Sequence, residues 1–396
     1  VDPLTFEQAR GTVIGRILAA RALPESEPVA LAEADGRVLA EPLCADRDFP
    51  ALARSVRDGF AVRAGDTPGR LRVVGEVRAG TSFDGAAWSG EAIEIMTGAP
   101  LPAGTDAVVM VEHARRKDEF VTVPEAAAGQ YVNPRGSEAR AGDTLLEAGR
   151  RLDYAAIAMA AATGHTHLRV YPQPRVAILP TGDEVVAVDR VPEPQQVRDS
   201  NAPALAALVR RAGGVPRLLP VAPDDLAATR TAIERGLDAD LLLLSGGVSA
   251  GKYDVVERAL AELGAEFFFD RVRIQPGQPL VFGRVRGKFF FGLPGNPVST
   301  IVTFELFARA AVELLAGQVE PALPLLLAPL AADFRHKPGL MRCLPACISA
   351  SGNEVRPLPW HGSSDLVSAA RANTFLVADA EREAWSKGEH IRVLMR

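Results

Sequence analysis

From Arg175 to about Gly317 short apolar runs alternate with amphipathic stretches, and this alternation restricts the fold more than any other feature of the chain. Residues 176–179, 217–220, 241–244 and 289–291 read as strands, while 202–212, 226–236 and 255–263 read as helices. Strand and helix in strict alternation predict a parallel sheet covered by helices on both faces, an α/β domain over 175–317. Open sheets of this kind bind ligands outside the carboxyl ends of their strands, so the turns at those ends carry the functional reading.

At 396 residues the chain has room for further domains. Phe6, Ala9, Val13, Ile17 and Leu18 recur near helical spacing, and a Pro-punctuated link leads to a second stretch, 30–39, read as helix. This part looks like an arm, 1–48, which we join with 133–174, where an Ala-rich helix is expected over 154–163. Short β-rich runs at 71–77, 92–96, 107–111 and 120–123 are separated by Gly and Pro clusters, as expected of a small β domain over 49–132. Residues 318–396 carry short strands and many turn residues and read as a further β domain.

Composition narrows the class. Lys plus Arg number 44 against 49 Asp plus Glu, a net charge of -5, which gives no basic footprint for nucleic acid. Apolar runs such as 155–162 fall far short of the ~20 residues that span a bilayer, and residues 1–15 show no basic segment followed by an apolar stretch, so a cytoplasmic protein is expected. Cys44, Cys343 and Cys347 are too few for a disulfide framework or a structural zinc site; the last two are expected as small buried residues. Trp88, Trp360 and Trp385 read as packing residues. His165 and His167 do not assemble a metal site, and His361, beside a Gly-Ser-Ser turn, is the histidine best placed to approach a substrate.

Three Gly-rich turns stand at the ends of strands in the α/β segment: Pro180-Thr181-Gly182-Asp183-Glu184, Ser245-Gly246-Gly247-Val248-Ser249 and Leu293-Pro294-Gly295-Asn296-Pro297-Val298-Ser299. Glycines let backbone N–H groups approach an anion closely, and helix amino termini with Ser donors favour phosphate. Any one such turn is a plain loop more often than a site; three at one sheet edge converge on a ligand. Glu184, Asp224, Asp225 and Asp254 accompany them, and acids beside an anion site suit Mg²⁺, which shares oxygen ligands with phosphate. Asp224 and Asp254 also stand where helix N-caps are expected, a use that does not exclude ligation.

The order of these motifs resembles the MoeA and gephyrin E-domain family, the molybdopterin molybdenumtransferases. Arg57-Asp58-Gly59-Phe60-Ala61-Val62, Ile95-Met96-Thr97-Gly98-Ala99-Pro100 and Gly362-Ser363-Ser364-Asp365-Leu366 extend the similarity over nearly the whole chain. The resemblance implies a four-part subunit with a three-layer molybdopterin-binding α/β domain, a helical arm, a small β-rich second domain and a β-barrel-like carboxy-terminal domain. It further implies a homodimer whose active site lies between the α/β domain of one subunit and the second domain of the other. The implied reaction takes adenylylated molybdopterin, releases AMP with Mg²⁺ and loads molybdate; a molybdopterin adenylyltransferase and apo-molybdoenzymes are the implied neighbours.

Carried over by position, the catalytic candidates are Asp58, Thr97, Glu138, Glu184 and Asp254, with Asp224, Asp225, Asp254 and Glu184 as metal ligands. Thr181, Gly182, Asp183, Ser245, Gly246, Gly247 and Ser249 would bind substrate, together with Gln275, Pro276, Gly277, Gln278, Pro294, Gly295, Asn296, Ser299, Arg342 and Ser363. The chain departs from the family at three places. Arg57 replaces a Met, Glu138 stands where an Asp is usual with Asp143 as the weaker substitute, and Gln275 and Gln278 replace two lysines. The amides donate hydrogen bonds but carry no charge, so Arg271, Arg273, Arg284 and Arg342 become candidates for restoring it. A weakly active molybdopterin carrier or a gephyrin-like scaffold is the competing reading. The adenylyltransferase, a similar α/β domain alone, fits the long flanking segments poorly.

Overall fold

The computed structural model describes residues 2–247 and 255–396. Its largest unit is a six-stranded sheet in the order Val215–Leu218, Arg175–Pro180, Leu241–Ser245, Lys288–Leu293, Pro279–Val285, Glu266–Arg271. The first four strands run parallel; the last two return antiparallel, so the alternation is not strict. These added strands need no crossover helix because a turn through Pro276 and Gly277 and a tight turn at Arg286 and Gly287 join them to their neighbours.

Period-two burial on the central strands produces three layers. Val176, Ile178, Leu241, Leu243, Phe289 and Phe291 enter one core, whereas Ala177, Leu179, Leu242, Leu244 and Phe290 enter the core on the opposite face. Helices α3 (Asn201–Arg211), α6 (Pro297–Thr303) and α7 (Arg309–Leu315) cover the first face; α4 (Leu226–Gly236) and α5 (Val255–Glu262) cover the second. The amino-terminal helix α1 (Phe6–Ala20) adds its stripe of Phe6, Ala9, Val13 and Ile17 to the first core. A Thr5 capping box starts this helix.

The second stretch expected as helix, 30–39, is instead the strand Glu27–Ala30, a short 3₁₀ turn and the strand Val38–Leu39. Both strands pair with His167–Tyr171, and α2 (Tyr154–Ala162) closes a small core with Leu39, Leu43, Leu152 and Leu168. Local helix formers there yield to long-range pairing that buries both edges of one strand. Residues 59–123 form a six-stranded sheet with apolar clusters on both faces. At the carboxy terminus, Met341–Ile348, Thr374–Ala378, His390–Met395 and Leu325–Pro329 form consecutive neighbours in another sheet, which Ile274–Gln275 joins at its edge; α8 (Leu366–Arg371) packs beside it.

Two minor expectations change. Trp88 is 71% exposed and is no packing residue, whereas Trp385 is buried against His336. Cys343 is buried, but Cys347 is only half-buried, its thiol donating to Arg371 O. No helix among the described residues is long and apolar enough to cross a membrane.

Candidate functional site

Because Arg175–Pro180, Leu241–Ser245 and Lys288–Leu293 lie side by side and parallel, the turns that follow them emerge at one sheet edge. The backbone fastens them together: Thr181 N donates to Ser245 O at 3.0 Å and Gly246 N to Leu293 O at 3.1 Å. Gly182 and Gly246 adopt φ +129° and +98°, and a Cβ at Gly246 would lie 2.7 Å from Thr181 O, so a side chain there would both strain and clash. Asn201, the first residue of α3, spends both Nδ2 protons on this assembly, donating to Ser245 Oγ at 2.8 Å and to Gly295 O at 2.7 Å. Ser245 Oγ accepts from Asn201 and so keeps its own proton for another partner.

These turns bound a cavity of about 660 Å³, whose wall includes Thr181, Glu184, Ser245, Gly246, Gly295 and Asn296. The carboxy-terminal domain supplies Ser364 and Leu366 to the same wall. It is fastened there by Asn296 Nδ2 donating to Ser363 Oγ at 2.8 Å and Val298 N to Ser363 O at 3.1 Å. Asp365 holds the turn in shape. Its carboxylate accepts from Ser368 N and Oγ and from His361 N, and these bonds, Ser368's foremost, hold its pKa far below the usual carboxylate range. His361 therefore meets the site through Asp365, 3.1 Å from its Nδ1.

The acids separate into different tasks. Glu184 stands on the cavity wall, its carboxylate folded over Gly182, and among the described residues it has no side-chain hydrogen bond or ion pair. Asp183 turns away to accept from Asp224 N at 3.0 Å. The expected cap at Asp224 falls one residue later: Asp225 caps α4 by accepting from Ala228 N at 2.8 Å. No three His, Cys, Asp or Glu side chains gather into a metal-holding group among the described residues. Asp254, Ser249 and Val248 lie outside the described residues.

Other expected residues stand off this wall. Ser299 is buried within α6, and Pro276 and Gly277 are buried behind an exposed Gln275 and Gln278. Arg273 donates to Gly339 O and Arg284 pairs with Glu266, so both are engaged elsewhere. Arg342 lies beside Gln275 across a parallel strand pair, with its buried Nε unpartnered among the described residues.

A second cavity, of about 510 Å³, lies in the amino-terminal half and contains Thr97, Glu138, Arg47 and Arg54. Pairing of Gly59 with Ile95 brings the residues just outside each strand together. Asp58 Oδ1 consequently accepts from both Thr97 N and Thr97 Oγ1 at 2.6 Å. The hydroxyl first, then the amide, holds the Asp58 carboxyl below its ordinary range. Gly59 is required here because a Cβ would fall 1.9 Å from Val109 O. Glu138 Oε1 accepts from Asn133 Nδ2 at 2.8 Å, which aims the longer carboxylate, while Asp143 is occupied in its own turn with Arg140 N.

Sequence reasoning missed Asn201, Arg198, Arg47 and Arg54. The run Asp199-Ser200-Asn201 reads as an ordinary helix start, and Asp199 does accept from Ala202 N at 2.9 Å. Only the fold shows that Asn201 also reaches two other turns.

A three-layer α/β domain with a Gly-rich cradle, flanked by β-rich amino- and carboxy-terminal parts, is the architecture of a multidomain protein built on a molybdopterin-binding domain. Consistent with this, residues 4–164 match the MoeA N-terminal region (domain I and II), 177–314 the probable molybdopterin binding domain and 327–395 the MoeA C-terminal region (domain IV). A molybdopterin molybdenumtransferase from Nostoc sp. is 35% identical, the match covering 93% of this chain and 88% of the relative. One from Staphylococcus aureus is 30% identical over 100% of this chain and 96% of its own. The molybdopterin biosynthesis MoeA protein of Pyrococcus horikoshii superposes with a TM-score of 0.80 at 26% identity, over 100% of both chains. The chain belongs to the MoeA family of molybdopterin molybdenumtransferases.

Proposed function

We propose that the protein is a molybdopterin molybdenumtransferase of molybdenum cofactor biosynthesis, taking adenylylated molybdopterin and molybdate as substrates and releasing AMP in a Mg²⁺-dependent step. The observation that carries this reading is the cradle in which Thr181, Ser245 and Gly295 are locked into one wall by backbone bonds and by Asn201. Such a wall offers the Ser245 hydroxyl to a phosphate from a fixed position, and a donor fixed in advance needs no reorganisation as charge develops. Ser245 would hold the phosphate end of the substrate, braced by Thr181, whose N–H and hydroxyl both donate to Ser245 O, and Asn296 and Ser363 would fix the mouth of the cavity.

The donor set fits Mg²⁺ in the form that ion usually takes, with one or two carboxylates and the remaining ligands from phosphate and water. Glu184, with its unshared carboxylate on the wall, would hold it, whereas Asp225 has one oxygen committed to capping α4. When bound, the ion would neutralise charge on the phosphoanhydride.

We further propose that the cavity lined by Thr97 and Glu138, with Asp58 bonded to Thr97 beside it, completes the active site of a partner subunit in a homodimer. The two cavities of one chain share no lining residue, which supports this reading. The test is incubation with adenylylated molybdopterin, Mg²⁺ and molybdate, following AMP release and reconstitution of a molybdenum-free apoenzyme. Molybdate-dependent AMP release that is lost in Asp58→Asn and Glu138→Gln supports the transferase. Tight pterin binding without release would instead favour the carrier or scaffold, the reading that the exposed amides Gln275 and Gln278 leave in competition.

A further inference from the structure

The substrate proposed above is anionic, yet the two positions where the family carries lysines hold neutral amides, and those amides lie outside the cavity wall. Of the four arginines that the sequence offered in compensation, none lines the cavity. Among the described residues of that wall the acids are Glu184 and Asp199, and the one cation is Arg198.

Arg198 is held for this task. Its backbone belongs to the two-stranded parallel ribbon that pairs Val186 with Arg198, and Asp199, the next residue, is tied to the start of α3 through Ala202 N. Its Nε donates to Arg190 O at 2.8 Å, which fixes the direction of the guanidinium. The two terminal nitrogens have no hydrogen bond or ion pair among the described residues, unlike the arginines paired with Glu or Asp elsewhere on the surface. A guanidinium anchored through Nε and free at both terminal nitrogens presents the planar fork that matches two oxygens of a phosphate. Asp199, the nearest acid in sequence, makes no ion pair with it among the described residues and turns its Oδ1 to Ala202 N.

We propose that Arg198 is a substrate-binding residue of this chain, the cation that grips a phosphate group of the pterin substrate from the α3 side of the cavity and stands in for the charge absent at 275 and 278. The inference rests on the proposed function and concerns binding, so its test is an equilibrium measurement, with no turnover required. Full-length wild type, Arg198→Gln and Arg198→Lys would be titrated anaerobically with molybdopterin, with phosphatase-treated molybdopterin, and with molybdate alone, at low and high salt.

The expected result is a roughly 10- to 100-fold weaker affinity of Arg198→Gln for molybdopterin, the range for charge-assisted hydrogen bonds, with partial retention in Arg198→Lys. Phosphatase-treated pterin should bind wild type and Arg198→Gln alike, and the salt dependence of molybdopterin binding should shrink in the variant. Equal molybdopterin affinity in wild type and Arg198→Gln would overturn the assignment while leaving the transferase reading intact. A loss confined to molybdate would also overturn it, by moving the residue to the oxyanion. Wild type that binds no pterin would remove the transferase reading itself, and the role of Arg198 with it.

Discussion

Single side chains in this protein act by fixing other groups. Asn201 satisfies Ser245 Oγ and Gly295 O together, so Asn201→Ala leaves both without that partner and is expected to destabilise the fold by ~1–3 kcal/mol while weakening pterin binding. Chemical denaturation and pterin titration of the same variant check the two effects. Asp58 is the acid-sensitive counterpart. With its folded pKa depressed by Thr97, what its carboxylate lends to stability is complete above the unfolded pKa and is lost as pH falls through the lower folded value. Thr97→Val keeps the amide donor but deletes the hydroxyl, so the Asp58 pKa read by carboxyl NMR should rise; an unmoved titration would mean that the amide alone sets it. Thiol chemistry offers a simpler contrast. Burial pushes the Cys343 thiol up to about 12, whereas Cys44 is exposed. Iodoacetamide should therefore modify Cys44 in the native protein and reach Cys343 only after unfolding, as mass spectrometry of timed samples would show.

At the level of elements, the α6–α7 helix contains a π-helical turn, Phe304–Ala308, which carries a buried ionic cluster. Arg309 pairs with Glu305 at 2.5 Å and Glu313 at 3.5 Å, and Glu313 Oε2 accepts from Ala322 N. Arg10 of α1 donates to Leu306 O, Pro321 O and Ala322 O, so the cluster ties the amino-terminal helix, the α/β domain and the link to the carboxy-terminal domain. Burial pushes the Glu313 carboxyl up despite Ala322 and Arg309. A raised folded pKa means that this group's contribution is full below the unfolded value and declines as pH rises through the folded one. Glu313→Gln should remove that decline, flattening unfolding free energy against pH above the ordinary carboxylate range by at most ~1.4 kcal/mol per pH unit, the slope for one proton. Elements of this kind were not legible in the sequence, because Arg10 and Glu313 are joined only by the fold. What was legible followed local rules: the buried strand 241–244 and the helix 226–236 announce themselves by composition and spacing. The strands Glu266–Arg271 and Pro279–Val285 were missed because an antiparallel return leaves no helix between partners to mark it. The Gly-rich turns were readable because close backbone approach admits only glycine, but Asn201 and Arg198 have no such local necessity.

For the whole molecule the decisive fact is that Glu184 and Glu138 line different cavities in one chain. If both serve one reaction, a two-fold dimer can unite them, since an isologous arrangement sets each surface of one copy against its complement on the other and so makes two composite sites. Glu184→Gln is expected to remove the contribution of the α/β domain, and Glu138→Gln that of the amino-terminal half. In a heterodimer of the two variants, one composite site receives both damaged halves and the other receives two intact ones. After dissociation and random reassortment of equal amounts, half of the dimers are mixed and each carries one good site, so roughly one quarter of wild-type AMP release should return from two nearly inactive parents. A site built within a single chain gives a different outcome, because every chain in the mixture still carries one damaged half and activity cannot exceed the average of the parents. Recovery that scales with the fraction of mixed dimers would establish the composite site; activity fixed at the parental average would place both carboxylates in service of their own chain.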